Sequence, residues 1–248
     1  MSVWHESDDF WETCELFMFD EQRWEQALVD VEQIISLLEI KPTAHILDLC
    51  CGPGRHSLEF SRRGFYVTGV DRTKKYLEEA KNRAKSENLN IDFIQEDMRK
   101  FCRPKSFDVV LNLYTSFSYF EDPEEDKQVL KNVYSSLKNG GKFIIEMMGK
   151  EILARIFMER NWHEHNGVFM LEERKVANNW SWMKNRWIRI KNGEVREFKV
   201  EHRIYSATEL ISLLNEVGFT KVYIFGNLEG TPYDHKARRL VGLAHKPS

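Results

Sequence analysis

The run Ile46-Leu47-Asp48-Leu49-Cys50-Cys51-Gly52-Pro53-Gly54-Arg55 carries a short apolar segment into a pair of glycines. Glycine is the residue that lets a backbone turn tightly and approach a ligand closely. Two further apolar segments close on acids, Asp71 after FYVTGV and Asp97 after IDFIQE. An acid after the second such segment can accept hydrogen bonds from both hydroxyls of a ribose, which suits a nucleoside-containing ligand. The glycine pair alone fits equally a tight structural turn or a nicotinamide or flavin site. The dinucleotide fingerprint, however, wants Gly or Ala three residues after its second glycine, and Ser57 stands there. Asp48, Asp71 and Asp97 are weak signals individually and specific together.

Such residues need alternating strands and helices to position them. Trp24, Leu28, Val31, Ile34, Ile35 and Leu38 recur at helical spacing with Pro42 beyond, predicting an amphipathic helix over 21–39. Then HILDL (45–49), a helix RHSLEFSRR closed by Gly64, FYVTGVD (65–71), a helix TKKYLEEAKNRAKSEN and IDFIQED (91–97) follow in βαβ order. FDVVLNLY (107–114) is nearly all apolar, as a strand covered on both faces is. A helix over 123–138 stops at Asn139-Gly140-Gly141 before KFIIEMM, and a short helical stretch follows near 150–158. From about 159 to 204 the pattern becomes alternating and aromatic, with VFMLEERKV, WSWMKNRWIRI and VREFKVEHRIY predicting three antiparallel strands. ATELISLLNEVGF, KVYIFGN and RRLVGLAHK then read as helix, strand and strand. The expected fold class is α/β: a seven-stranded, mostly parallel sheet with helices on both faces, one reversed edge strand and a small antiparallel β insertion above the carboxyl edge, where open α/β sheets bind ligands. The domain organisation expected is one domain, 1–248, with an N-terminal helical cover over about 1–40 and the inserted element over about 159–204.

Taken in order, LDLCCGPGRH, GVDRT, EDMR and NLYTSFSYF resemble the class I S-adenosylmethionine-dependent methyltransferases over about residues 43 to 148. The resemblance implies a Rossmann-like sheet and S-adenosylmethionine as cofactor. It also implies which residues hold that cofactor: Asp48, Cys50, Gly52 and Gly54, with Arg55, around the methionine portion; Asp71, with Arg72 beside it, at the ribose; Asp97 and Met98 at the adenine; and Asn112 with Leu113 on the sulfonium side. The family often has glycine where this chain has Cys50, which stays small but lacks glycine's easy access to positive φ.

Methyl transfer from a sulfonium is an in-line displacement whose electrophile the cofactor supplies, so the protein must align the nucleophile and exclude water. An amine acceptor must be neutral when it attacks, which a modest base or a desolvating pocket assists. The candidates after the fourth strand are Tyr114, Ser116, Ser118 and Tyr119, the alternative being a loop that simply packs on the next helix. His202, Arg203 and Tyr205 end the insertion and can fold over the pocket, the alternative being an ordinary polar strand face. The catalytic candidates are therefore Tyr114, Tyr119, His202 and Tyr205. Trp162, Trp180, Trp182 and Trp187 crowd the insertion as core, as an oligomer interface or as a substrate wall, which makes a homodimer through the aromatic insertion a candidate assembly. Trp162-His163-Glu164-His165 lacks the i, i+4 helical spacing of a zinc site, and no metal is expected. The segment from Phe10 through Trp24 is expected to close over the cofactor as a lid, or else to pack simply against the sheet.

A chain of 248 residues, 42% hydrophobic, can bury one full core. Its net charge of -3 gives no bulk reason to seek nucleic acid or an anionic membrane. Asn112-Leu113-Tyr114-Thr115 also lacks the paired prolines that many enzymes methylating amino groups of bases carry after this strand. The opening MSVWHESDDF has acids where a secretory leader needs a basic lead and then an apolar run, and no stretch reaches membrane-spanning length, so a cytoplasmic protein is expected. Cys14, Cys50, Cys51 and Cys102 form neither a disulfide framework nor a paired zinc pattern and are expected to be reduced. The function expected is direct in-line methylation of a small-molecule nitrogen or oxygen nucleophile, similar to the branch with an inserted antiparallel sheet that includes amino-sugar N-methyltransferases. A nucleic-acid methyltransferase and a non-catalytic cofactor- or protein-binding module are the alternatives.

Overall fold

Capping and apolar periodicity together set the first elements. After a 3-10 turn at Trp4–Glu6 come α1 (Asp8–Met18) and α2 (Glu21–Leu38), whose N-caps Ser7 and Asp20 accept hydrogen bonds from the backbone N–H groups of Phe10 and Arg23. Then β1 (His45–Leu49), α3 (Arg55–Arg62), β2 (Tyr66–Asp71), α4 (Lys74–Ser86), β3 (Ile91–Gln95), β4 (Phe107–Asn112), α5 (Pro123–Ser136), β5 (Leu137–Met147) and α6 (Lys150–Ile156) follow. The alternating segment forms β6 (Arg160–His165), β7 (Val168–Ala177), β8 (Trp182–Lys191) and β9 (Glu194–Arg203), and α7 (Ala207–Val217), β10 (Thr220–Phe225) and β11 (Leu240–His245) complete the chain. These elements come from a computed structural model that describes residues 3–248.

The main sheet has seven strands in the order β10-β11-β5-β4-β1-β2-β3. Strands β1 to β5 pair in parallel, and β11 runs antiparallel to both β5 and β10. The reversed strand is thus second from the edge rather than at it, because β10 enters after a helical crossover and β11 returns between it and β5. Helices cover both faces. Val31, Ile34 and Leu38 of α2 and Phe60 of α3 pack on Ile46, Val109, Leu111 and Ile144. Val129, Leu130 and Val133 of α5 and Leu210 and Leu214 of α7 pack on Val110, Phe143 and Ile145. Alternate residues of one strand feed opposite cores, which is why β4 reads as an unbroken apolar run. Each fully buried Leu or Ile contributes about 1.5–3 kcal/mol.

The inserted sheet has four strands, in the order β6-β7-β8-β9, not three. The additional strand, RNWHEH, lies at the edge with nearly every side chain exposed, so it carries no apolar alternation to read. No helix among the described residues is long and apolar enough to cross a membrane.

Candidate active site

Strand order reverses between β1 and β4, and the crevice beyond their carboxyl ends opens into a cavity of about 630 Å³. That volume is within the usual range for small-molecule sites, about 300–1,000 Å³. One wall is the turn after β1. Cys50 adopts φ 64° and Gly52 φ 55°, so the chain takes positive φ at Cys50 despite its side chain, at a cost of about 1 kcal/mol. A Cβ on Gly52 would lie 3.0 Å from the ring of Phe19, which closes over this turn.

The acids occupy fixed positions. Both oxygens of Asp71 accept backbone N–H bonds, Oδ2 from Gly52 and Oδ1 from Thr73, each at 2.8 Å. Each oxygen keeps a further lone pair, and Asp71 lines the cavity. Burial raises its carboxyl above the usual range. Asp48 is buried and accepts from the Ser57 hydroxyl at 2.6 Å, so the residue that departs from the dinucleotide fingerprint holds the first acid of the motif. Asp97 is held by Arg99, whose guanidinium reaches its Oδ2 at 2.5 Å and also pairs with Glu6 at 2.7 Å and Glu125 at 2.8 Å. Met98 lines the cavity beside Cys50, with the two sulfurs 3.5 Å apart.

Of the cofactor residues expected, Asp48, Cys50, Gly52, Arg55, Asp71, Arg72, Asp97, Met98 and Leu113 all line this one cavity. Gly54 and Asn112 do not. A Cβ on Gly54 would sit 3.0 Å from Ala80 Cβ and 3.3 Å from Phe93, so this glycine allows α3 to pack against α4 and β3. Asn112 is buried and donates to Leu49 O at 3.3 Å and Ser116 O at 3.0 Å, tying β1 to the loop after β4. Of the catalytic candidates, Tyr114, Tyr119 and His202 line the cavity and Tyr205 does not. Its hydroxyl is 2.8 Å from Asp126, a fully buried carboxyl that burial lifts to about 6. Arg203 joins the same acid at 3.3 Å, and the Ser118 hydroxyl is spent on the Phe117 and Arg203 carbonyls.

His202 is held neutral, its pKa lowered to about 4 by burial. Tyr119 stacks near His5 and Trp4, and burial pushes its hydroxyl far above the usual range. The Tyr114 hydroxyl is committed to Asp30 at 3.0 Å, and Arg55 lies 4.5 Å above its ring. Tyr114, Thr115 and Ser118 all have positive φ, 56°, 61° and 70°, a cluster of backbone strain that surrounding bonds must hold in place.

Several of the residues that hold it were not anticipated. Buried Glu146 accepts from Tyr114 N at 2.6 Å and pairs with Arg239, which also reaches the Thr115 hydroxyl at 3.0 Å. Buried Asp30 joins His56, at 3.1 Å, to Tyr114. Both acids carry a sequence signal: Glu146 interrupts an apolar strand, and Asp30 sits on the Ala27-Val31-Ile34 stripe of α2. An acid on a buried face needs partners there. The cavity's outer wall is the N-terminal segment with the inserted sheet. Trp4 Nε1 donates to Glu201 O at 2.7 Å, Asp9 pairs with Arg196 at 2.8 Å, and Phe10 and Cys14 pack on Met170 and Val200. On the other side Asp8 pairs with Arg72 at 3.1 Å, and the Tyr76 hydroxyl donates to Trp11 O at 2.6 Å.

Residues 46–141 match the family model described as a methyltransferase domain. A protein of Geobacillus sp. (strain WCH70) assigned to the methyltransferases is 24% identical over 214 residues, covering 81% of this chain and 84% of the relative. This is therefore an S-adenosylmethionine-dependent methyltransferase, with its methyltransferase domain matched over residues 46–141. Against other curated relatives this methyltransferase spans about half of their length, 47% and 49%. Its fold is shared with an S-adenosylmethionine-dependent methyltransferase from Clostridium acetobutylicum ATCC 824, at TM-score 0.76 and 18% identity over 97% of both chains. It is shared also with an amino pentose methyltransferase from Micromonospora echinaspora involved in calicheamicin biosynthesis, at TM-score 0.66 and 21% identity, covering 90% of this chain and 91% of that one.

Proposed function

We propose that this methyltransferase moves the methyl group of S-adenosylmethionine directly onto a nitrogen or oxygen atom of a small molecule held inside the cavity. The observation that carries this reading is the enclosure. The wall facing the β1–β4 crevice is built from α1 and the inserted sheet, leaving about 630 Å³ for cofactor and acceptor together. The amino pentose specificity of the Micromonospora relative supports the same direction.

The residues present fit the cofactor. Asp71, fixed by two backbone N–H bonds with lone pairs remaining, suits a ribose diol. The positive-φ turn at Cys50 and Gly52 would let backbone approach the methionine portion, with Asp48, Arg55 and Leu113 around it, and Met98 and Asp97 would flank the adenine. Bound there, S-adenosylmethionine supplies an electrophilic methyl on a sulfonium. The chain's own work is alignment and desolvation. Tyr119, protonated, is a hydrogen-bond donor at the acceptor side. His202, neutral down to about pH 4, accepts from an acceptor N–H or O–H and is too weak a base to hold its proton. The Phe19, Trp4 and Trp11 side of the lid excludes water.

The test is product detection by mass spectrometry, with small amines, hydroxylated compounds, RNA and DNA offered in parallel with S-adenosylmethionine. Methylation confined to a small-molecule class supports the reading. Salt-sensitive methylation of nucleic acid alone would overturn it.

A further inference from the structure

Where the inserted sheet lines the cavity, its inner face is not uniformly apolar. Between Met170, Trp187 and Val200 stand Glu172 on β7 and Asn185 on β8, 9% and 8% exposed, and both line the cavity. Polar side chains buried to that degree ordinarily have their hydrogen-bonding capacity filled. Each of these keeps one oxygen over. The Arg174 guanidinium and the His163 ring, the latter at 3.2 Å, both address Oε2 of Glu172, and no donor among the described residues bonds Oε1. Asn185 Nδ2 donates to Val200 O at 2.9 Å; a carbonyl can only accept, so Oδ1 is left as an acceptor with no donor on it. The side-chain atoms sealed inside the protein without a partner are Asn112 Oδ1, Asp126 Oδ1 and Arg189 Nε, so the two spare oxygens open onto the cavity.

The pairing register sets where they stand. Glu172 lies opposite Trp187 and Arg174 opposite Asn185, which makes Glu172 and Asn185 diagonal neighbours, about 7–8 Å apart and within reach of one ligand. His202 lies opposite Met183, and Arg203 N bonds Ser118 O at 2.8 Å, beside Tyr119. The oxygen pair is therefore two to four residues along the strands from the Tyr119–His202 end, roughly 7–14 Å. Charge has the same sense. Glu164 and Glu172 of the inserted sheet line the cavity, and among the described residues no lysine or arginine of that sheet does; Arg23, Arg55 and Arg72 belong to the cofactor end.

We propose that Glu172 and Asn185 read the far end of the methyl acceptor, which presents O–H or N–H donors there and no anionic group. The inference rests on the small-molecule reading above and adds what that molecule carries besides the methylated atom. Arg174 and His163 hold the carboxylate through Oε2, so Oε1 is fixed in direction before the acceptor arrives. A ligand end without donors leaves two desolvated oxygens unpaired, and a carboxylate or phosphate meets like charge.

Ligand-observed NMR on the full chain loaded with S-adenosylhomocysteine tests this, with hexylamine, hexan-1-ol and hexanoate as probes. Hexylamine and hexanol should bind about tenfold or more tighter than hexanoate. In Glu172→Gln the amide oxygen keeps Arg174 and the amide nitrogen takes the place of Oε1, turning an acceptor into a donor. The preference should then collapse and hexanoate should bind tighter than it does to the wild type, an inversion that a merely structural Glu172 would not produce. A larger loss for hexylamine than for hexanol assigns the acceptor's donors to an amine, and the reverse to hydroxyls. Hexanoate binding as tightly as the other two, failure of both donor-bearing probes to bind, or an unchanged preference in a Glu172→Gln protein with intact circular dichroism and S-adenosylhomocysteine affinity overturns the proposal. Should the variant not fold, the wild-type preference alone decides. Methylation of RNA or DNA alone would instead overturn the small-molecule reading, which is read from products and not from these affinities.

Discussion

Replacing Arg99 with methionine should loosen the N-terminal cover and destabilise the protein in a way that depends on pH. The guanidinium holds three carboxylates from separate places in the chain: Glu6 ahead of α1, Asp97 after β3 and Glu125 in α5. The Arg99 and Asp97 side chains are 22% and 19% exposed, so that charged hydrogen bond is worth about 1.5–3 kcal/mol. Glu6 and Glu125 are 38% and 39% exposed, and screening limits each to well under about 1 kcal/mol. The loss at neutral pH is therefore about 2–3 kcal/mol, or roughly 5–10 °C in Tm for a chain of this length. For Asp97, burial alone would raise the carboxyl, and the Arg99 hydrogen bonds outweigh it; for Glu6 the Arg99 bond is the leading cause. Both sit below their usual values in the folded protein. The stabilisation is then complete above the unfolded carboxylate range, about 3.9–4.3, and lost as pH falls through the lower folded values. Urea titrations at pH 7 and at successively lower pH should show a wide gap between wild type and variant that closes as pH falls below about 4. Limited proteolysis within residues 1–25 should be faster in the variant. Equal midpoints at pH 7, or a gap that persists in acid, would refute the reasoning.

Asp71→Asn presents an amide nitrogen to either the Gly52 or the Thr73 N–H, and should weaken S-adenosylmethionine binding by about 10- to 100-fold; unchanged affinity in calorimetry would remove Asp71 from the site. His202 has a folded pKa of about 4, below the usual 6.5, so the protein should lose stability as pH falls from 6.5 toward 4. His202→Gln should reduce that loss by about 1–2 kcal/mol, and identical urea titrations of the two proteins across this range would count against a neutral imidazole at the cavity wall. A Cβ on Gly69 would meet Phe93 at 2.8 Å and Cys51 Sγ at 3.0 Å, so Gly69→Ala should cost about 1–3 kcal/mol in thermal unfolding, and an unchanged Tm would mean that β2 and β3 repack freely.

What was legible in the sequence follows physical lines. Apolar runs mark β1 to β5, with closing acids after β2 and β3, and the glycine turn with Asp48 and Asp71 points to the crevice, because such features are local. The sequence pattern predicts one reversed strand at the sheet edge, whereas the reversed strand is β11, one position in from it, since strand order depends on contacts far apart in sequence. β6 escaped because an exposed edge strand has no buried face to enforce alternation. Gly54, Asn112 and Tyr205 were drawn toward the cavity by their neighbours in the chain. Their side-chain environments, packing for Gly54 and hydrogen bonds for the other two, are set by tertiary partners that sequence does not show. Cys50 shows that positive φ can be imposed where the turn is held at both ends. Asp30 and Glu146 were readable in principle as acids on apolar faces, but their partners His56, Tyr114 and Arg239 were not.

The most direct test of the central claim is calorimetric titration of the purified wild-type chain with S-adenosylmethionine and S-adenosylhomocysteine, with reduced nicotinamide dinucleotide as control. The account predicts saturable binding of both adenosyl ligands in the micromolar range and none of the nicotinamide. A well-folded protein that binds neither adenosyl ligand would contradict it.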